Sequence, residues 1–202
     1  MRALAVESDS YTTVLGAHGG EAGVIVTLGT GSIAAALDAN GVCGISGGYG
    51  FPSGDEASGA WLGLRAAVHL QRLLDARLPE DDWSRELLAK TGATDRDSLV
   101  VWLCNANQTA YATLAPTVFE FRDPPAAARL LQQAGEEIEL LVAALDPAGD
   151  YPVALCGGLA APYEPFVPIS VRERLRASKA DSAAGALELA RRAASGMRKE
   201  PR

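Results

Sequence analysis

One stretch of this chain, residues 23–32 with the sequence GVIVTLGTGS, constrains the fold more than any other. Its first half is a short run of β-branched and aliphatic residues, which is the composition of a buried strand. The run ends abruptly at Gly29-Thr30-Gly31-Ser32, where glycine allows close backbone approach and the hydroxyls add hydrogen-bonding groups. The sequence therefore predicts a strand followed by a loop that either binds an anion through backbone N–H groups or is an ordinary tight turn.

A carboxylate precedes this loop in the sequence. Residues 3–8 predict a strand, and residues 9–18 predict a helix that begins directly after it. Asp9 stands at the junction, and either Ser8 or Asp9 can cap the helix, since both residue types are common N-caps. A helix N-terminus also favours a negative side chain, so a capping role and a chemical role of Asp9 are compatible.

A second glycine-rich loop, residues 47–54, leads to Asp55 and Glu56. Its glycines let the backbone approach a ligand closely, and Tyr49 adds a flat apolar wall of the kind that borders a sugar ring; the alternative is a flexible surface linker. We expect Asp55 near the N-cap of the next helix and Glu56 in its first turn, where acidic residues are favoured. The order of carboxylate, hydroxyl-glycine loop and second carboxylate suits phosphoryl transfer, in which positioning and charge neutralisation do most of the work.

The remaining pattern indicates an α/β fold. Strands are predicted at residues 24–28, 32–37 and 42–45, with the hairpin signature Asn-Gly between the last two. Helical patterns then fill the chain until a fourth strand at residues 153–156, and a last helix is predicted at residues 182–194. We therefore expect a mixed sheet, with an antiparallel meander and a parallel segment, flanked by helices.

Composition excludes several classes of function. Acidic residues outnumber basic ones by 25 to 18, for a net charge of −7, which argues against a nucleic-acid-binding surface. No apolar run approaches the length of a membrane span, and no secretory signal is apparent. The three cysteines, Cys43, Cys104 and Cys156, lack metal-ligand spacing, so we expect free buried thiols in a reducing cytoplasm and no metal site built from this chain.

Four segments together carry a family resemblance: SDSYTTVLGAHGG, VIVTLGTGS, GGYGFPSGDEASGAWLG and ALCGGLAAPY. They resemble the C-terminal lobe of sugar kinases in the actin-like ATPase superfamily, specifically the bacterial glucosamine kinases and N-acetylglucosamine kinases. These kinases share a family with the benzoyl-CoA reductase activator ATPases. The resemblance implies that residues 1–202 form one such lobe, with a helical insertion at about residues 79–122. It also implies that the N-terminal lobe, whose glycine-rich hairpin holds phosphate, is absent.

The resemblance implies ATP-dependent phosphorylation of glucosamine or N-acetylglucosamine at the 6-hydroxyl, with Mg²⁺ bridging the phosphates. Asp9 matches the carboxylate that accepts the proton of the sugar hydroxyl. The other site residues implied are Gly29, Thr30, Gly31 and Ser32 for phosphate, Asp55, Gly48 and Tyr49 for the sugar, and Gly157 and Gly158 for the nucleotide. From pattern alone, the glycine pair after the fourth strand also fits simple close packing of a strand on a helix.

Two alternatives stay open at this point. Some relatives are ATPases that activate a redox partner and hold an iron–sulfur cluster between two subunits through paired cysteines, but the cysteines here are not arranged in that way. The chain could also be a non-catalytic lobe that serves as an interaction module. The expected partners are an amino sugar and ATP, with no nucleic acid and no membrane, and the resemblance allows a homodimer.

Overall fold

A four-stranded mixed sheet forms the centre of the protein in the computed structural model, which describes residues 4–194. The strands are β1 (Gly23–Leu28), β2 (Ser32–Leu37), β3 (Cys43–Gly47) and β4 (Val153–Cys156), in the order β3-β2-β1-β4. β1, β2 and β3 form an antiparallel meander, and β4 pairs with β1 in parallel. The predicted mixed sheet is therefore confirmed.

Ten helices surround the sheet within the described residues. Their bounds are α1 (Asp9–His18), α2 (Gly59–Leu74), α3 (Asp82–Thr91), α4 (Arg96–Asn105), α5 (Gln108–Ala112), α6 (Ala115–Glu120), α7 (Pro125–Leu145), α8 (Ala160–Tyr163), α9 (Ile169–Arg172) and α10 (Ser182–Ala194). Several begin at side-chain caps, such as Ser8 for α1 and Asp95 for α4, because these side chains accept hydrogen bonds from the otherwise unpaired first-turn N–H groups.

β1 is buried on both faces. Val24, Val26 and Leu28 pack into the larger hydrophobic cluster, which includes residues of α2, α6 and α7. Ile25 points to the opposite face and packs with Val14 and other residues of α1. A strand covered on both sides has no polar face, which explains why the sequence of β1 is apolar without alternation.

The strand predicted at residues 3–8 is wrong over the part that the structure describes, and residue 3 lies outside the described residues. Residues 4–8 form no strand, and Leu4 and Val6 are 71% and 78% exposed. Both hydrogen-bonding sides of β1 are already taken by β2 and β4, so the segment finds no partner there and leads into α1 from outside the sheet.

Of the helices between β3 and β4, α3, α4, α5 and α6 pack on α2, whereas α7 packs mainly on the sheet. The tightest approach is at Gly63, where a Cβ atom would lie 1.8 Å from the carbonyl oxygen of Tyr111 in α5. On the other face of the sheet, α10 packs against α1, and a Cβ atom at Gly185 would lie 1.8 Å from the carbonyl oxygen of Thr12. Among the described residues, no helix is both long and apolar enough to cross a membrane.

Candidate functional site

Two glycine loops meet at one edge of the sheet. β1 and β4 are parallel neighbours, so they end at the same edge, where Gly29 and Gly157 follow them. The N–H of Leu159, just after the glycine pair, donates to the carbonyl oxygen of Leu28 at 3.1 Å. In parallel sheets, this carboxyl-end edge is where ligands commonly bind, and most of the predicted site residues gather around it.

The start of α2 binds the loop between β1 and β2 through backbone hydrogen bonds. Leu28 pairs with Ser32, so only three residues connect the strands. The N–H groups of Gly59 and Ala60 donate to the carbonyl oxygens of Gly29 and Thr30, at 2.8 and 3.2 Å. These bonds fix the loop rigidly and engage the first amides of α2. Thr30 stands exposed at the tip of the loop.

Ser32, the last residue of the predicted phosphate loop, is buried. Its hydroxyl donates to the carbonyl oxygen of Glu56 at 2.6 Å. This bond joins the first glycine loop to the turn before α2.

Asp55 is a buried carboxylate, only 6% exposed, that joins three segments. One oxygen, Oδ1, accepts from the N–H of Gly50 at 3.2 Å, and the other, Oδ2, accepts from Nε2 of Gln108 at 2.7 Å. A Cβ atom at Gly31 would lie 2.8 Å from Oδ2, so Asp55 also touches the β1–β2 loop. The structure thus brings Asp55 and Gly31, predicted for sugar and phosphate, into direct contact.

Asp55 lies near the N-cap of α2, as expected, but it does not cap the helix. Ser58 is the N-cap of α2, and its hydroxyl accepts from the N–H of Trp61. Asp55 and Ala57 have positive φ values of 58° and 63°, a backbone conformation that delays the start of the helix to Gly59. The carbonyl oxygen of Ala57 accepts from the Tyr163 hydroxyl at 2.6 Å, and burial raises the pKa of Tyr163, which keeps that hydroxyl a donor.

Glu56 lies in this turn, and the prediction that it occupies the first turn of α2 is wrong. Its Oε2 atom is buried and has no hydrogen-bond partner among the described residues. It lies beside Gly47, close to the side chain of Leu141 in α7. The two adjacent acidic side chains therefore face different surroundings, and Asp55 alone faces the β1–β2 loop.

The rest of the second glycine loop is open on one side. Tyr49 is 88% exposed, and Gly48 lies over Ile33, whose Cδ1 atom would be 2.8 Å from a Cβ atom at this position. The ring of Phe51 contacts that of Tyr111 with centroids 5.2 Å apart. This arrangement leaves the Tyr49 ring free beside the loop that leads to Asp55.

Asp9 is exposed at the start of α1. Ser8 is the N-cap, because its hydroxyl accepts from the N–H of Tyr11 at 3.1 Å, and Oδ1 of Asp9 accepts from the N–H of Ser10 at 2.8 Å. The C-terminal end of α1 is anchored at the beginning of β1, where Nε2 of His18 bonds the carbonyl oxygen of Val24 at 2.9 Å. From there α1 extends back across the sheet, with Asp9 at its far end.

The two glycines after β4 differ in their surroundings. Gly157 has a φ of +91°, and a Cβ atom there would lie 2.3 Å from the carbonyl oxygen of Leu28. Gly158 has no atom within 4 Å of its Cβ position, and both residues are exposed. Close packing of strand on loop therefore explains Gly157, whereas Gly158 presents bare backbone to solvent.

Two residues of this site escaped the sequence analysis. Ser58 directly precedes the helix and is a common cap type, so the signal was available. Gln108 gave no signal, because its partner Asp55 lies 53 positions away in the sequence and only the packing of α5 on α2 brings them together.

No metal site is evident in the part of the chain that the structure describes, since no three His, Cys, Asp or Glu side chains gather there. All three cysteines are free, as expected, but Cys104 is exposed rather than buried, and the other two are half-buried.

Comparisons with known proteins agree with one another. A model of the BadF/BadG/BcrA/BcrD ATPase family matches residues 1–190. Glucosamine kinase GspK of Vibrio cholerae is 30% identical over 93% of this chain, and N-acetyl-D-glucosamine kinase of Dictyostelium discoideum is 32% identical over 52% of it.

Among solved structures, a provisionally named N-acetylglucosamine kinase from Chromobacterium violaceum superposes on 92% of the chain, with a TM-score of 0.87 and 48% identity. The predicted fold is thereby confirmed. The chain spans 64% of the length of the Vibrio protein, 34% of the Dictyostelium protein and 65% of the Chromobacterium chain.

Proposed function

Because this chain belongs to the BadF/BadG/BcrA/BcrD ATPase family, we propose that it is the C-terminal lobe of an amino-sugar kinase. The reaction is transfer of the γ-phosphate of ATP to the 6-hydroxyl of glucosamine or N-acetylglucosamine. One observation carries the proposal: the buried carboxylate of Asp55 contacts Gly31, which sets a hydroxyl-binding group directly beside an anion-binding type of loop. In this proposal residues 79–122 are a helical insertion in the lobe.

Asp9 is the proposed general base. The sugar oxygen attacks the γ-phosphorus while an Asp9 oxygen accepts the hydroxyl proton, a contribution of about 10² to 10⁴-fold for a positioned base. Its place at the start of α1 supports the role, because Asp9 is exposed while Ser8 serves as the cap. Oδ1 of Asp9 accepts from the N–H of Ser10 in the first turn of α1, but the N-cap itself is Ser8.

The β1–β2 loop is the proposed site for the transferring phosphate, through Gly29, Thr30, Gly31 and Ser32. The N–H of Gly29 donates to the carbonyl oxygen of Gly31, and the hydroxyl of Ser32 donates to that of Glu56. These bonds hold the loop in one shape around the exposed Thr30, and donors that are fixed before the reaction stabilise developing charge without reorganisation. Gly157 and Gly158 would lie against the nucleotide, and the open space beside Gly158 fits close approach of a flat group to the backbone.

For the sugar, we propose Asp55 together with Gly48 and Tyr49. An ionised carboxylate has four lone pairs, and Asp55 uses two of them for Gly50 and Gln108. The others can accept hydrogen bonds from neighbouring sugar hydroxyls. The exposed Tyr49 ring offers an apolar face for the sugar beside them.

Mg²⁺ as the companion of ATP remains a prediction from the family. The residues that the structure describes offer no three-ligand cluster for it, so we derive no step through the metal from this chain. A homodimer and a cytoplasmic location also remain predictions. The three unpaired thiols are consistent with a reducing compartment.

The competing proposal is an ATPase that activates a redox partner. Paired cysteines that bridge two subunits through an iron–sulfur cluster are its requirement, and no such pair is present among the three free cysteines. The observed link between Asp55 and the phosphate-type loop instead favours a hydroxyl acceptor. Bound iron in anaerobically purified protein, together with the visible absorbance of an iron–sulfur cluster, would support the competing proposal.

The test compares three sugars as substrates, with ATP and Mg²⁺, in the two-lobed enzyme of which this chain is the proposed C-terminal lobe. We expect kcat/KM to be highest for glucosamine, lower for N-acetylglucosamine and lowest for glucose, measured by ADP release and by mass spectrometry of the sugar phosphate. Asp9→Asn should lower kcat by at least about 10²-fold with little change in sugar affinity. The matched control is Asp97→Asn, an exposed aspartate in the first turn of α4. A clear preference for glucose, or no sugar phosphate, would contradict the proposal.

A further inference from the structure

The helical segment between β3 and β4 sends one polar side chain into the site. Gln108 is the first residue of α5, and its Nε2 donates to Oδ2 of Asp55 at 2.7 Å. We propose that Gln108 is a positioning residue that holds the Asp55 carboxylate in the orientation that binds sugar hydroxyls. This inference rests on the proposed function, because it assigns Gln108 a role in the same reaction.

The chemistry of the pair supports this role. A buried carboxylate needs donors, since an unpaired one is strongly destabilising. A primary amide is a neutral donor, so it fixes the orientation of Asp55 without cancelling the negative charge. A cation at the same place would compete with the sugar hydroxyls for the carboxylate. Gln108 therefore orients Asp55 and leaves its remaining lone pairs available as acceptors.

The position of Gln108 is fixed by the packing of α5. The side chain of Asn107 caps this short helix by accepting from the N–H of Ala110 at 2.9 Å. α5 lies directly on α2, where the absence of a side chain at Gly63 allows the contact with Tyr111. The Tyr111 ring also contacts Phe51 in the second glycine loop. α5 thus contacts the second glycine loop through Tyr111, and it contacts Asp55, directly after that loop, through Gln108.

Gly31 completes the arrangement. A Cβ atom at this position would lie 2.8 Å from Oδ2 of Asp55 and 3.3 Å from Nε2 of Gln108. The hydrogen bond between these two side chains therefore passes directly over the phosphate-type loop. A displacement of Gln108 would change the position of Asp55 relative to Gly31, and hence that of the sugar relative to the proposed phosphate site.

Gln108→Glu separates a positioning role from simple support of the fold. Two carboxylates at this distance share a proton, so the pair holds one proton at low pH and loses it as the pH rises. In the protonated pair, the new glutamic acid donates to Asp55 as the amide does. In the ionised pair, the two side chains repel each other and Asp55 is displaced.

The experiment measures kcat and KM for glucosamine from about pH 5.5 to about pH 8.5 in the full-length protein. The ratio of variant to wild-type KM at each pH cancels the titration of the substrate amine. We expect this ratio to be near one at the low end and to rise to about tenfold or more at the high end, as expected for the loss of one charge-assisted hydrogen bond. The kcat ratio should stay nearly constant.

The matched control is Gln133→Glu, the same substitution at an exposed position of α7, for which the KM ratio should stay near one throughout. A KM ratio for Gln108→Glu that does not change with pH would overturn the inference while the proposed function stands. Absence of amino-sugar phosphorylation by the wild type would overturn the proposed function itself, and the assigned role with it. If Gln108→Glu does not fold, Gln108→Met provides the test: it keeps the length without the donor, and an unchanged KM would refute the positioning role.

Discussion

Gly157 and Gly158 are adjacent in the sequence but should respond in opposite ways to the same substitution. Alanine at position 157 meets two obstacles. Its φ of +91° is a conformation that residues with a Cβ atom adopt at a cost of about 1 to 3 kcal/mol. The new methyl group would also lie 2.3 Å from the carbonyl oxygen of Leu28, where ordinary contacts begin at 3.4 Å.

The neighbouring backbone has little freedom to relieve this overlap. Leu28 is the last residue of β1 and pairs with Ser32 in β2, and its carbonyl oxygen accepts from the N–H of Leu159. Overpacking of this kind costs about 1 to 3 kcal/mol. Together with the cost of the positive φ at this position, Gly157→Ala should lower the free energy of unfolding by at least about 2 kcal/mol. For a chain of this size, that corresponds to a melting temperature lower by about 5 °C or more.

Gly158→Ala is the matched control for stability. No atom lies within 4 Å of its Cβ position and its φ is not positive, so its melting temperature should stay within about 2 °C of the wild type. If Gly158 lies against the nucleotide as proposed, this variant should instead raise KM for ATP. Thermal unfolding followed by circular dichroism measures the first effect and steady-state kinetics the second. Equal melting temperatures for the two variants would refute the reasoning.

Two further predictions concern buried charged and titratable groups. Burial lowers the pKa of both histidines, His18 and His69, so below about pH 6.5 the unfolded chain binds protons that the folded chain does not. The free energy of unfolding should therefore decrease as the pH is lowered; denaturant unfolding at several pH values should show this slope, and His18→Gln should reduce it. The buried carboxylate of Asp146 pairs with the guanidinium of Arg174, so Arg174→Met should lower the free energy of unfolding by about 3 kcal/mol. Arg172→Met, at an exposed position, should have almost no effect in the same assay.

Local signals in the sequence were sufficient for the elements that are determined by neighbouring residues. The apolar run of β1 predicted a buried strand, and the Asn-Gly pair predicted the turn after β2, where Gly41 has a φ of +81°. Gly92 ends α3 in the left-handed conformation, as a glycine after a helix predicts. The order of glycine loops and aspartates was also enough to gather candidate residues for one site, because loops that follow parallel strands share an edge.

Contacts between residues that are distant in the sequence decided the rest. Residues 4–8 have the composition of a strand, but they pair with none of the four strands of the sheet. Asp55 has the sequence context of a helix cap, but its positive φ and its bond to Gln108 make it a buried link between loops. No local pattern reports such a partner, because a hydrogen bond between residues 53 positions apart depends on how α5 packs on α2. The sequence alone therefore determined most of the elements and the edge of the sheet at which the candidate site lies, whereas the tertiary structure decided which side chains meet there.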